Sequence, residues 1–257
     1  MFARAFDIGS SLASSSLAAW KGTAAFRPAP RQPEQMLVLY EFEACPYCRL
    51  VREALTELDL DVLIKPCPKR GQRYREEAQS RSGSMQFPLL LDPNTDTTLL
   101  ESRQIIDYLY QEYGQRKAPQ GLLRRVDALR SQAASLPRLH RGLRARHARS
   151  PELALELYSF ESSPFSRLVR ERLCELELAY VLRNMAKARW EDMGPPEIRA
   201  QFFPDLPVEG RNRVALLERT GKVQVPYLID PNTGMELFES DAIITYLEQT
   251  YAVGKPR

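Results

Sequence analysis

The feature that most constrains this chain is an internal repeat. Leu39-Tyr-Glu-Phe-Glu-Ala-Cys-Pro-Tyr-Cys-Arg-Leu-Val-Arg-Glu-Ala-Leu-Thr-Glu-Leu-Asp-Leu60 aligns without gaps with residues 157–178, and 14 of the 22 positions are identical. A second match pairs Gln86-Phe-Pro-Leu-Leu-Leu-Asp-Pro-Asn-Thr95 with residues 224–233 and runs on through Glu101-Ser102 and Glu239-Ser240. The offset between copies grows from 118 to 138, so the second copy holds 20 extra residues between Arg183 and Val223. Pro195, Pro196, Pro204 and Pro207 in that stretch point to an irregular loop.

Each copy predicts the same small unit. A short apolar strand (Leu37 to Phe42; Leu155 to Phe160) leads through a proline-containing turn into an amphipathic helix (Arg49 to Leu58; Arg167 to Leu176). A second strand, a polar crossover, a strand opening at Pro88 or Pro226, an Asp-Pro-Asn-Thr turn, a short strand and a helix beginning at Ser102 or Ser240 follow. That order predicts an α/β fold, a mixed sheet with helices on its faces, occurring twice in 257 residues. The expected organisation is an N-terminal arm over 1–35, a first domain over 36–114, a basic helical linker over 115–152 and a second domain over 153–257.

Charge is unevenly spread. Between Gly114 and Ser150 ten basic residues face one acid, Asp127, giving +9 in a chain of net +3 and leaving −6 elsewhere. Leu123, Val126 and Leu129 predict a helix there that Pro137 ends. The charge admits attachment to nucleic acid or an anionic membrane. We expect instead arginines paired with the acidic remainder, hence no nucleic-acid and no membrane partner. Serines and arginines in the first 35 residues admit an organellar transit peptide, and the plainer expectation is an arm packed on the first domain.

The chemistry-bearing residues are few. Cys45-Pro46-Tyr47-Cys48 lies where a strand gives way to a helix, so the Cys45 sulfur sits at a helix N-terminus, which favours its thiolate. Cys48, one turn on, can attack a mixed disulfide on Cys45. Four cysteines and two histidines, with no second Cys-x-x-Cys, argue against a disulfide framework and against a metal site, and the expected compartment is reducing and cytoplasmic. Cys67 is expected in a solvated basic loop and Cys174 as a partly buried filler. Trp20 and Trp190 are expected to be packing residues. Glu43 opposes a Cys45 thiolate, and Arg49 and Arg52 are the nearest groups able to compensate.

Cys-Pro-Tyr-Cys on this element order resembles the active site of dithiol glutaredoxins, which have a thioredoxin fold. Phe87-Pro88 and Glu101-Ser102 resemble the glutathione-transferase N-terminal domain. The resemblance implies two tandem thioredoxin-like domains joined by the linker, and glutathione as co-substrate. It also implies a cis proline at Pro88 and a glutathione groove formed by Tyr47, Phe87, Pro88, Glu101 and Ser102. There Ser102 is expected to cap its helix, whose N-terminus receives a carboxylate while Glu101 faces an ammonium. The implied activity is glutathione-dependent thiol–disulfide exchange on disulfide-containing or glutathionylated substrates. In the second copy Ser163 and Ser166 replace the cysteines. Either Ser163 or Ser162 stabilises a glutathione thiolate beside Val225, Pro226, Glu239 and Ser240, as in serine-type transferases, or the copy is degenerate and kept for packing. A non-catalytic glutathione- or partner-binding module is the remaining alternative.

Overall fold

The computed structural model describes residues 2–119, 122–138, 140–194, 201–203 and 205–254. The first copy comprises β1 (Leu37–Glu41), α2 (Pro46–Glu57), β2 (Val62–Pro66), α3 (Arg75–Ser82), β3 (Leu89–Asp92), β4 (Thr97–Leu99) and α4 (Ser102–Glu112). The second comprises β5 (Leu155–Ser159), α6 (Pro164–Glu175), β6 (Tyr180–Asn184), α7 (Arg211–Thr220), β7 (Tyr227–Asp230), β8 (Met235–Phe238) and α8 (Ser240–Thr250). Two further helices, α1 (Phe2–Leu17) and α5 (Leu122–Ser135), precede the copies. Pro195, Pro196 and Pro204 of the inserted stretch lie outside the described residues, and α7 occupies the place of α3.

Each copy builds four strands with the first pair parallel and the remainder antiparallel. The repeated Asp-Pro-Asn turn has a structural reason. Asp92 accepts hydrogen bonds from the Asn94 backbone and side chain and, at 2.6 and 2.5 Å, from the hydroxyls of Tyr108 and Tyr113. The buried carboxylate thus pins α4 to the end of β3, and Asp230 does the same with Asn232, Tyr246 and Tyr251.

The two sheets merge. β2 and β6, the inner edge of each copy, pair antiparallel through Val62↔Leu182, Leu63↔Val181 and Ile64↔Tyr180, giving one eight-stranded sheet in the order β4-β3-β1-β2-β6-β5-β7-β8. Pairing removes two edges that would otherwise present unpaired backbone groups. One hydrophobic cluster runs through both copies, from Leu39 and Leu55 to Leu157 and Leu173.

The segments before the copies are neither a loose arm nor a tether. α1 packs on α5 and on α6 of the second copy, whereas α5 packs on α2 of the first. The expectation of an arm seated on the first domain is corrected for α1, which crosses over, whereas the chain after it returns to the first copy, with the Ala29 amide donating to Leu58 O at 2.8 Å and Arg31 paired with Glu112. The Ser11 hydroxyl donates to the Pro164 carbonyl at 2.7 Å, and Ser131 donates to Pro46 at the same distance. Gly22 and Gly142 turn the following chain past the opposite copy with φ of +72° and +69°, where a Cβ would stand 2.8 Å from Glu161 Cβ or Glu43 Cβ. These matched contacts define an internal two-fold axis between α2 and α6. The unit that repeats is therefore a helix, a strap and a four-stranded domain.

Candidate functional site

The Cys45 turn is built by the sequence Phe42-Glu-Ala-Cys-Pro. The Cys45 amide donates to Phe42 O at 3.0 Å, closing the turn that ends β1. Cys45 then occupies the N-cap of α2, with Pro46 in the first turn where no amide is needed. Its sulfur accepts the Cys48 amide at 3.4 Å. The thiol is held down at about 7, chiefly by the hydrogen bond from the Cys48 side chain, with burial opposing and the Cys48 and Tyr47 amides and the Arg52 charge assisting. Cys48 moves the other way, well above the ordinary thiol range, because it is wholly buried and donates to Cys45. The two thiols are thus differentiated, Cys45 the more readily ionised and Cys48 the proton-bearing partner. Both are buried, Cys45 at 4% exposure, while Tyr47 between them is exposed.

The Glu43 carboxylate, expected to oppose the thiolate, is held in ion pairs. It is buried and lies within ion-pair distance of Arg52, at 3.3 Å, and Arg170, at 3.1 Å. Arg52 compensates as anticipated, but as the hub of a network with Glu41, Glu43 and Glu161. Arg49 turns instead toward Ser14 and Glu161. Glu41, on the last residue of β1, is raised to about 8, first by burial, while Arg52 opposes and Glu43 and Cys45 add to the rise. Sequence reasoning passed over Glu41. The signal was available, since the repeat places Ser159 there in the copy that lacks cysteines.

Of the expected groove residues, Phe87 approaches this turn through Phe42. The Phe87–Pro88 peptide is cis, as is Val225–Pro226. The Phe87 ring lies edge-on to Phe42 at 6.3 Å, and the Arg75 guanidinium sits 5.0 Å above Phe87. Ser102 is not a cap: it is the first residue of α4, and Glu101 takes the N-cap position with φ +64° and no side-chain hydrogen bond to the helix. The first-turn amides of α4 consequently have no side-chain cap from Glu101, an arrangement suited to an anion. Glu101 is exposed, and its carboxylate accepts from Gln86 Nε2 at 2.5 Å.

The second copy reproduces the scaffold with different chemistry. Ser163 caps α6, its oxygen accepting the Ser166 amide at 3.3 Å. Ser162 is committed to the strap, its hydroxyl bonded to Thr23 and its amide to Gly22 O. Glu239 again holds the N-cap with φ +67°, Ser240 opens α8, and Gln224 donates to Glu239 at 2.5 Å.

Three further expectations change. Cys67 is not solvated: it is fully buried among Tyr40, Ala78 and Leu89, and burial pushes its thiol far up. Cys174 is completely rather than partly buried, donating to Gly142 O at 3.3 Å. Trp190 is 73% exposed and stacks on Phe26 at 4.6 Å, and Trp20 is also exposed, so neither is a core residue. No cluster of three or more metal-ligating side chains occurs among the described residues, and none of their helices is long and apolar enough to cross a membrane. The linker arginines Arg130, Arg138, Arg141 and Arg146 are ion-paired with Glu53, Glu171, Asp7 and Glu248.

Comparison with known proteins bears on the two copies. Residues 39–117 and 157–256 both match the family described as "Glutathione S-transferase, N-terminal domain". Among solved structures, the chain is similar to "Leishmania TDR1 - a unique trimeric glutathione transferase", with 14% identity over 87% of this chain and 69% of that one. The TM-score is 0.28, too low to argue from. A search of curated proteins finds no match.

Proposed function

Since the chain belongs to the glutathione S-transferase N-terminal domain family through both of its copies, we propose that it is a glutathione-dependent thiol–disulfide oxidoreductase whose chemistry resides in the first copy. The observation that carries this reading is the Cys45 sulfur at the N-cap of α2, held near neutral pKa beside a buried partner thiol. The Cys45 thiolate attacks the glutathione sulfur of a glutathionylated substrate. The Cys45–glutathione disulfide forms, the substrate–glutathione disulfide breaks, and the substrate leaves as a thiolate that takes a proton from water. A second glutathione thiolate then attacks that disulfide, releasing oxidised glutathione and restoring Cys45. Alternatively Cys48 loses its proton, attacks Cys45 and expels glutathione. Its burial and raised pKa favour the first route.

Glutathione fits the groove of Phe87, Pro88, Glu101 and Ser102, with a carboxylate at the α4 N-terminus and its ammonium toward Glu101. Four unpaired cysteines suit a reducing, cytoplasmic compartment. The second copy keeps the same proline and Glu-Ser pair beside Ser163, which supports glutathione binding there and, as a second reading, transferase-type thiolate stabilisation.

Intact mass after exposure to oxidised glutathione tests the reading. We expect an adduct of one glutathione trapped on Cys48→Ser and none on Cys45→Ser. Modification that persists in Cys45→Ser, or no modification of any form, sinks it. Turnover lost with Ser163→Ala but kept with Cys45→Ser moves the activity to the second copy.

A further inference from the structure

Behind the two turns, at the internal two-fold axis, four buried guanidinium groups meet three buried carboxylates: Arg49, Arg52, Arg167 and Arg170 against Glu41, Glu43 and Glu161. Arg52 and Arg170 take up the carboxylates, each lying within ion-pair distance of Glu43 and Glu161 and Arg52 also of Glu41. Arg167 has no ion pair among the described residues. Its Nη1 donates to the Ser11 carbonyl at 2.8 Å and to the hydroxyls of Ser11 and Ser15, all uncharged, and its Nε and Nη2 have no hydrogen-bond partner. Its symmetry mate Arg49 donates, among the described residues, to the Ser14 hydroxyl, and its Nε, in a long 4.0 Å ion pair with Glu161, is also without a hydrogen bond. Both residues are more than nine-tenths buried, at 1% and 3% exposure.

Burying a guanidinium without a counter-charge is costly, and two facing ones add their mutual repulsion. Burial and the neighbouring Arg49 charge indeed pull Arg167 down to about 9. A cavity of about 10 Å³ lies against both, bordered also by Ser135, Arg138, His140 and Arg141 and by the carboxylates of Glu43 and Glu171. Arg138 and Arg141 are already paired with Glu171 and Asp7, and Glu43 with Arg170, so the surplus charge belongs to Arg49 and Arg167. That space takes about one water-sized particle. It excludes sulfate, phosphate or a carboxylic acid.

We propose that this cavity is a binding site for a monovalent anion of halide size, held between the guanidinium groups of Arg49 and Arg167. A water molecule in the same place satisfies the free N–H groups but supplies no charge, and chloride supplies both. The site is independent of the glutathione chemistry. It contains neither cysteine of the first turn, although Ala44, the residue before Cys45, borders it.

Thermal unfolding of the full chain at neutral pH and constant ionic strength, with chloride progressively replacing gluconate, tests this. Binding to the folded state alone raises the midpoint with chloride concentration, logarithmically above the dissociation constant. We expect bromide to substitute for chloride and Arg167→Gln to abolish the dependence while retaining an N–H donor. Equal midpoints in both salts, or a chloride dependence that survives Arg167→Gln, overturn the proposal. Should that variant fail to fold, crystals of the wild-type chain grown in bromide decide. An anomalous peak between Arg49 and Arg167 supports the site, and a water or empty density there overturns it.

Discussion

Cys45 and Glu41 titrate within about one pH unit of each other, at about 7 and about 8, and the charge on each opposes charge on the other. The sign of the consequence follows. Below pH 7 both are protonated and Cys45 is a weak nucleophile; as pH rises through 7 the thiolate forms, and it in turn delays ionisation of Glu41. The pH profile of Cys45 alkylation by iodoacetamide should therefore rise with a midpoint near 7 and broaden above it. In Glu41→Gln the carboxylate that ionises above 7 is gone while Arg52 remains, so the midpoint stays near 7 and the profile narrows to a single step. An unchanged profile in that variant would show that Glu41 does not feel the thiol. At this scale the sequence disclosed the place of Cys45 at the start of its helix, because a Cys-Pro-x-Cys turn is local. The roles of Arg52 and Arg170 could not be assigned from local spacing, since Arg52 reaches Glu161 and Arg170 reaches Glu43, 109 and 127 residues away across the axis.

Helix α5 was legible as an element and α1 only as an arm, and neither was legible as crossing to the other copy. The charge count between Gly114 and Ser150 anticipated arginines neutralised by acids, and the structure shows which: Arg130 with Glu53 on α2 and Arg138 with Glu171 on α6. These pairs fasten α5 and the turn after it to the two helices that carry the Cys45 and Ser163 turns. The repeat also extends further than its strong matches. Asp7, Ser11 and Gly22 recur as Asp127, Ser131 and Gly142 at a spacing of 120, a signal too sparse to stand out from sequence alone. Removing one partner of a buried pair strands the other, so Arg138→Met, which leaves Glu171 buried and unpaired, should destabilise the fold by about 3 to 5 kcal/mol in urea titrations. Arg144→Ala, at an exposed position of the same segment, should stay within about 0.5 kcal/mol of wild type. Equal effects would mean that the segment is a solvated tether after all.

The whole molecule behaves as a dimer folded into one chain. The strands and helices of each copy were readable from periodicity, because each copy has its own alternation of apolar and polar residues. The joint between them was not, because β2 and β6 are ordinary apolar strands, and nothing in Val62–Pro66 or Tyr180–Asn184 names its neighbour. The joint nevertheless decides the thermodynamics. Tyr180 is almost wholly buried, aligned with Ile64 across the seam, and belongs to the same cluster as Leu39 of the first copy and Leu228 of the second. With the main core and the sheet shared, and only smaller clusters private to each copy, neither copy can shed its share of the common apolar contacts without exposing the other's. Unfolding in urea should therefore be a single transition, coincident by far-UV circular dichroism and by the fluorescence of Trp20 and Trp190. Tyr180→Ala, an aromatic truncation costing about 3 to 5 kcal/mol, should move that one midpoint down without splitting it. Were the copies only tethered, the same substitution would destabilise the second and leave the first in place. Two separated transitions would then appear, with Cys45 in the higher one still alkylated at its native rate.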